Sequence, residues 1–172
     1  NAKSFKLDFN SQENTRQLID KMPEFELDIL INNAITGYTQ NYFHKMEIDV
    51  FLNSFKINIL PVIQLTQQFI KNSRKKKSGK IITILTSAII NKPPLGWAEY
   101  VANKAYLQSL SKSWAIENSA FGITSNCISP SIMITNLTKN IDKRLVESMI
   151  ESNPNKSLLN ENEVAESVCF FT

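Results

Sequence analysis

The chain has 172 residues, 42% of them hydrophobic and 20% charged, with a formal net charge of 19 − 16 = +3. That length suits one domain with one core, the composition excludes a wholly disordered chain, and the charge is too mild for a nucleic-acid-binding face. Lys3, Lys6 and Asp8 interrupt any signal-peptide pattern, and the most apolar stretch, Ile81 to Ile90, is about half the ~20 residues of a membrane span, so no membrane partner is expected.

Apolar strand-like runs alternate with longer helical patterns along the chain. Leu27 to Ile31 is a short β-type run. Glu47 to Lys71 has helical spacing, with Val50, Phe51, Phe55, Ile59, Ile63 and Phe69 at apolar positions. Lys80 to Leu85 is rich in β-branched residues and predicts a second strand. Glu99 to Asn118 predicts a long helix, stopped by Gly122. Ile123 to Ile128 predicts a third strand before Pro130, and Glu161 to Phe171 a closing helix. This alternation predicts an α/β fold with a parallel sheet. Ligands of such sheets lie beyond the carboxyl ends of the strands, which points to Asn32–Gly37, Thr86–Trp97 and Ser129–Asn136.

The two cysteines, Cys127 and Cys169, form no disulfide framework and no metal-ligand spacing. Free thiols and a cytoplasmic location are the expectation, with no metal.

Tyr100-Val101-Ala102-Asn103-Lys104 carries the strongest chemical signal. Residues four apart share a helix face, so the phenol and the ammonium lie side by side. A free phenol is a poor acid at neutral pH, and a nearby positive charge favours the phenolate. Such a pair could protonate a carbonyl oxygen during hydride transfer. The same pattern in isolation also describes a solvated helical Tyr and Lys. Ser87 stands 100 − 87 = 13 residues earlier, just after a strand, where its hydroxyl could meet the same oxygen.

Together these motifs resemble the short-chain dehydrogenase/reductase family. Asp28 to Ala34 resembles the family's Asn-Asn-Ala-Gly segment, Asn58 its active-site asparagine, and Ser87, Tyr100 and Lys104 its serine, tyrosine and lysine. Asn126 to Thr135 resembles the segment beside the nicotinamide, and Asp8 the aspartate that meets the adenine ring. The resemblance implies a Rossmann-like doubly wound parallel sheet and an NAD- or NADP-dependent carbonyl reductase or alcohol dehydrogenase. By that resemblance Tyr100 moves the proton, Lys104 lowers its pKa and contacts the nicotinamide ribose, Ser87 orients the substrate carbonyl, and Asn58 holds a water linked to Lys104. Asp8, Asn32, Asn33, Ala34, Pro130, Ser131, Ile132 and Thr135 complete the implied cofactor set, with Tyr100 and Lys104. A homodimer or homotetramer is implied on the same ground. A non-catalytic nucleotide-binding or regulatory protein on the same fold is the competing reading.

Some positions depart from the family pattern. Ile35 and Ser131 stand where the family has glycines, and Thr86 competes with Ser87 when the alignment is made from the strand side. The family's first strand and glycine-rich turn should precede Asp8, and a final strand should follow Phe171. The chain has only 4 glycines, where average usage of ~7% would give about 12. Residues 1–172 therefore read as a single partial Rossmann domain that, alone, would bind nucleotide poorly and tend to aggregate. Pro61 has no N–H to donate to the carbonyl of Ile57, which predicts a helix distortion beside Asn58.

Three other features carry less. Lys71 to Lys80 reads as a solvated basic loop, with docking of a phosphate-bearing carrier as the sharper alternative. His44 reads as a surface residue and Cys127 as a packed one. Lys92 to Trp97, with Tyr38, Tyr42 and Phe43, fits a substrate-pocket wall and plain loop packing equally, and Ser131 to Glu151 a lid over it.

Overall fold

The computed structural model describes residues 4–37, 39–133, 135 and 143–172. Tyr38 and residues 134 and 136–142 of the expected lid lie outside the described residues. Three parallel strands, β1 (Ile29–Asn32), β2 (Gly79–Ile84) and β3 (Ile123–Ile128), are hydrogen-bonded in the order β1-β2-β3. Parallel neighbours need long crossovers, and helices supply them. α2 (Ile48–Asn58) and α3 (Leu60–Lys76) join β1 to β2, and α4 (Ala98–Asn118) joins β2 to β3. α1 (Gln12–Lys21) precedes the sheet; α5 (Lys143–Ser152) and α6 (Glu161–Phe170) follow it.

The register sorts side chains between the two faces. Leu30 pairs with Ile81, which pairs with Ser125, and Asn32 pairs with Thr83, which pairs with Cys127. Paired residues of parallel strands share a face, so this set looks toward the helices. Ile81 and Ile123 there join Ile59, Val62, Phe69, Leu107 and Trp114 in the main core cluster. The alternate residues Ile82 and Ile84 are buried on the other face, so β2 is covered on both sides. In β1 the same alternate face leaves Ile29 and Ile31 exposed.

Pro61 has the local effect expected of it. The helical stretch breaks at Ile59 (φ −112°, ψ −52°), which closes α2 and opens α3. Pro61 then occupies the first turn of α3, where a missing N–H costs little. The single helix expected over Glu47–Lys71 is thus two, and the second runs on to Lys76. The basic cluster is correspondingly not a loop. Lys and Arg are good helix formers, and positive charge in a last turn suits the helix dipole. Lys77 (φ 54°) ends the helix in a left-handed turn. Three of the cluster's charges are engaged: Arg74 donates to Asn118 Oδ1 (2.7 Å) and lies over the Phe121 ring, Lys76 pairs with Asp28 at 2.7 Å, and Lys80 Nζ donates to the Thr172 carbonyl.

Other boundaries move by a residue or two. β1 begins at Ile29, because Leu27 is drawn into the preceding turn by its N–H to Phe25. β2 runs from Gly79 to Ile84. α4 ends at Asn118 and a 3-10 turn follows, so Gly122 closes that turn and not the helix itself. α1 and α5 had no sequence expectation. Ser11 caps α1, its hydroxyl accepting from Asn14 N–H. One earlier exclusion is overturned: Ile48–Lys76, taken as a unit, is long and apolar enough to cross a membrane. Here that stretch is kinked at Ile59 and lays Ile59, Val62 and Phe69 into the core beneath the sheet.

Gly122 has φ +65°, and a Cβ there would come within 2.6 Å of the Lys77 carbonyl oxygen. Gly122→Ala therefore pushes apart two left-handed turns that need this close approach. It is expected to cost about 1–3 kcal/mol of stability, read as a lower urea midpoint at unchanged slope.

Candidate active site

Backbone hydrogen bonds join the carboxyl ends of β2 and β3 and hold their exit loops together. Leu85 N–H donates to the Ile128 carbonyl (2.7 Å), and Ser87 N–H to the Pro130 carbonyl (2.8 Å). Ser87 is therefore adjacent to Pro130, Ser131 and Ile132, as a shared ligand site requires. Ser87 starts a short 3-10 turn, and Thr86 is its cap, with a hydroxyl that accepts from Ala88 N–H. That bond gives Thr86 a local structural task.

Tyr100 and Lys104 lie in the first turns of α4 and both are buried. The Tyr100 ring meets Trp97 edge-on at 5.6 Å between centroids. Lys104 Nζ donates to the Ile84 carbonyl, the last of β2, at 2.7 Å. Burial lowers its pKa to about 8. One bond to Ile84 leaves two of the three ammonium donors for other groups.

Asn58 closes α2 and is buried. Its Oδ1 accepts from both the N–H and the hydroxyl of Thr36, each at 2.9 Å. Its Nδ2 donates to Ser54 Oγ at 3.1 Å. Ser54 in turn donates to Glu99 Oε1 and accepts from Asn103 Nδ2 at 2.8 Å, and Asn103 also reaches Glu99 Oε1 at 2.9 Å. Burial raises the Glu99 carboxyl above its ordinary range, while the Asn103 hydrogen bond pulls the other way. Sequence reasoning missed Thr36, Ser54, Glu99 and Asn103. The available signal was spacing, since Ser54 and Asn58, like Glu99 and Asn103, are four apart on one helix face.

The expected cofactor residues divide into two groups. Asn33, Ala34 and Ser131 are exposed at strand exits, and Ile132 and Thr135 are half-buried. Asn32 instead turns its amide toward the helices and donates to Thr66 Oγ1 at 3.2 Å. Asp8 stands apart, before α1, with Oδ1 accepting from the N–H and Nδ2 of Asn10, both at 2.9 Å. The Asn10 backbone bond, then its side chain, lowers the Asp8 pKa. Neither Ile35 nor Ser131 is among the residues with positive φ, so neither needs the glycine that the family pattern has there.

The loop carrying Trp97 packs on the one carrying Tyr42. Asn41 N–H donates to the Gly96 carbonyl at 3.1 Å, and Gly96 adopts φ +82°. Trp97 is buried, whereas Tyr42 and Phe43 are exposed; Tyr42 stacks on His44, and Phe43 packs edge-on against Phe51. His44 is exposed, as expected. Cys127 is half-buried and desolvation raises its thiol pKa, which fits a packed thiol.

Lys104 makes stability depend on pH. Its folded pKa lies near 8, below the ordinary 10.5, so the unfolded chain binds more protons between those values. Stability from this group therefore rises as pH increases from about 8 to 10.5 and is lowest below 8. Lys104→Met is expected to flatten that rise, measured by urea unfolding across the interval.

A family model described as short chain dehydrogenase matches residues 1–145. Among curated proteins, the chain is 34% identical over 166 residues to a 3-oxoacyl-[acyl-carrier-protein] reductase of Buchnera aphidicola subsp. Schizaphis graminum, covering 93% of this chain and 67% of the relative. A reductase of the same name from Buchnera aphidicola subsp. Acyrthosiphon pisum is 34% identical over 145 residues, and the chain spans only 58% of its length. The Escherichia coli K12 protein of that name is 31% identical over 173 residues, 99% of this chain and 70% of the relative. Among solved structures, ElxO with NADP bound superposes with a TM-score of 0.84 at 26% identity, covering 97% of this chain and 69% of that one. A gluconate 5-dehydrogenase of Burkholderia cenocepacia, solved with NADP and tartrate, has the same fold, with a TM-score of 0.86 at 22% identity over 96% of this chain and 66% of that one. With the sheet, the strand-exit loops and the family match in agreement, this chain belongs to the short-chain dehydrogenase family.

Proposed function

We propose that the protein carrying this chain is an NAD(P)-dependent oxidoreductase that reduces a ketone or oxidises the matching secondary alcohol. The observation that carries this reading is the buried Lys104 ammonium, pinned to the last carbonyl of β2, one helical turn from Tyr100 and beside the strand exit that holds Ser87. A buried ammonium is costly, and an ordinary core position would hold an apolar residue.

The residues present suit the nicotinamide half of such a cofactor. Exposed backbone at Asn33, Ala34 and Ser131 can meet polar ligand groups, and Lys104 keeps donors free for ribose hydroxyls. The bound cofactor would supply or accept the hydride. The chain's own side chains do the rest. Tyr100 gives its phenolic proton to the carbonyl oxygen, or takes it back from the alcohol. Lys104 favours the phenolate that remains. The Ser87 hydroxyl donates to the same oxygen and fixes its position. Asn58, already bonded to Thr36 and Ser54, holds the end of α2 against the exit loop of β1.

The curated relatives are named as 3-oxoacyl-[acyl-carrier-protein] reductases, which favours a 3-oxoacyl thioester among candidate ketones. A cytoplasmic homo-oligomer belongs to the same reading, supported by exposed Ile48, Leu52, Tyr106 and Ile116 on α2 and α4.

The test is NADPH oxidation by the whole protein with a panel of simple ketones, keto-sugars and an acetoacetyl thioester. Tyr100→Phe is expected to lower turnover by about 10²–10⁴-fold while nucleotide binding, followed by calorimetry, persists. Nucleotide binding with no turnover in the unaltered protein would favour the regulatory reading instead.

A further inference from the structure

Glu99 is only 3% exposed, although the carboxylates of most proteins face water. It lies in the first turn of α4, where an acid favours the helix dipole. That alone would not bury it or turn its oxygen toward another helix. Its Oε1 accepts from Ser54 of α2 and from Asn103 of α4.

The donor count at Ser54 fixes the direction of every bond in this cluster. A serine hydroxyl has one proton to give and two lone pairs. Both lone pairs are taken by amide donors, Nδ2 of Asn58 at 3.1 Å and Nδ2 of Asn103 at 2.8 Å. Its single proton must therefore go to Glu99. With the hydroxyl oriented this way, Asn58 can present only its NH2 to Ser54. Its Oδ1 is then turned toward Thr36, where it accepts two bonds at 2.9 Å. A chain of hydrogen bonds thus runs from the residue before Tyr100, across α2, into the loop after β1.

We infer that Glu99 is a positioning residue that, by accepting the Ser54 proton, keeps the Ser54 hydroxyl turned to receive the Asn58 NH2 and so tethers Asn58 and, through it, the Thr36 loop. Without an acceptor at position 99, Ser54 is free to donate elsewhere and the Asn58 NH2 loses its fixed acceptor, leaving the Thr36 N–H and hydroxyl as the bonds that hold the amide. The consequence for catalysis rests on the oxidoreductase reading above; the structural coupling does not.

The experiment follows the side-chain amide of Asn58 and the backbone amide of Thr36 by nitrogen-15 NMR in the full chain. Glu99→Met removes the acceptor at similar volume, Glu99→Gln keeps an oxygen acceptor, and Ser54→Ala cuts the link one step later. The Met and Ala variants are expected to lose at least tenfold of the hydrogen-exchange protection at Thr36 and to shift the Asn58 NH2 pair, while the Gln variant keeps both. Unchanged signals in Glu99→Met or in Ser54→Ala overturn the inference, as does equal loss in the Gln variant. If Glu99→Met does not fold, Ser54→Ala and Glu99→Gln decide it alone. In the turnover assay, kcat should drop about tenfold in Glu99→Met with KM unchanged and recover in Glu99→Gln. Absence of turnover in the unaltered protein would count against the oxidoreductase reading and leave the spectroscopic result to decide this one.

Discussion

A charged nitrogen held away from water governs much of this structure. Lys104 Nζ ends on the Ile84 carbonyl, at the point where β2 leaves the sheet. Taking an ammonium out of water is costly, and a single carbonyl dipole offsets only part of that cost. The lowered pKa, about 8, registers the remainder. The bond also sets the height of α4 against β2, and with it the depth of Tyr100. That contact links the strand end to the helix turn that follows Tyr100.

The three exit loops depend on equally specific local chemistry. Backbone bonds from Leu85 to Ile128 and from Ser87 to Pro130 continue the β2–β3 pairing beyond the last ladder residues. Among the described residues the β1 exit has no such backbone extension. Its loop is held by a side chain, Asn58, which reaches Thr36 from the end of α2. That reach depends on the helix ending where it does. Pro61 cannot continue the hydrogen-bond ladder, and the break at Ile59 leaves Asn58 at a helix terminus. The proline and the asparagine therefore act as one feature, although they are three residues apart and differ in chemistry.

Burial is uneven across the sheet. The helix-facing side is filled by Ile81, Ile123 and the apolar faces of α3 and α4. On the opposite side, Ile82 and Ile84 are buried while Ile29 and Ile31 of β1 are not. The chain spans 58–70% of the length of the three reductases it resembles.

Much was legible in the residue order because it rests on short-range rules. β-branched runs marked the strands, and the helical period marked α4. Pro61 announced its own helix break, since a missing N–H is a property of the residue alone. Other features depended on which surfaces meet. The basic run from Lys71 looked like a solvated loop, but Arg74 found Asn118 and Lys76 found Asp28, 44 and 48 residues away, and the helix continued through them. The bond of the Asn32 side chain to Thr66, 34 residues away, was not visible in the sequence. The cluster of Ser54, Asn58, Glu99 and Asn103 was also hidden, because each pair four apart is ordinary on its own helix. Only the packing of α2 against α4 decided which donor faced which acceptor, and long-range packing of this kind is set by the filled volume of the core, which local pattern does not encode.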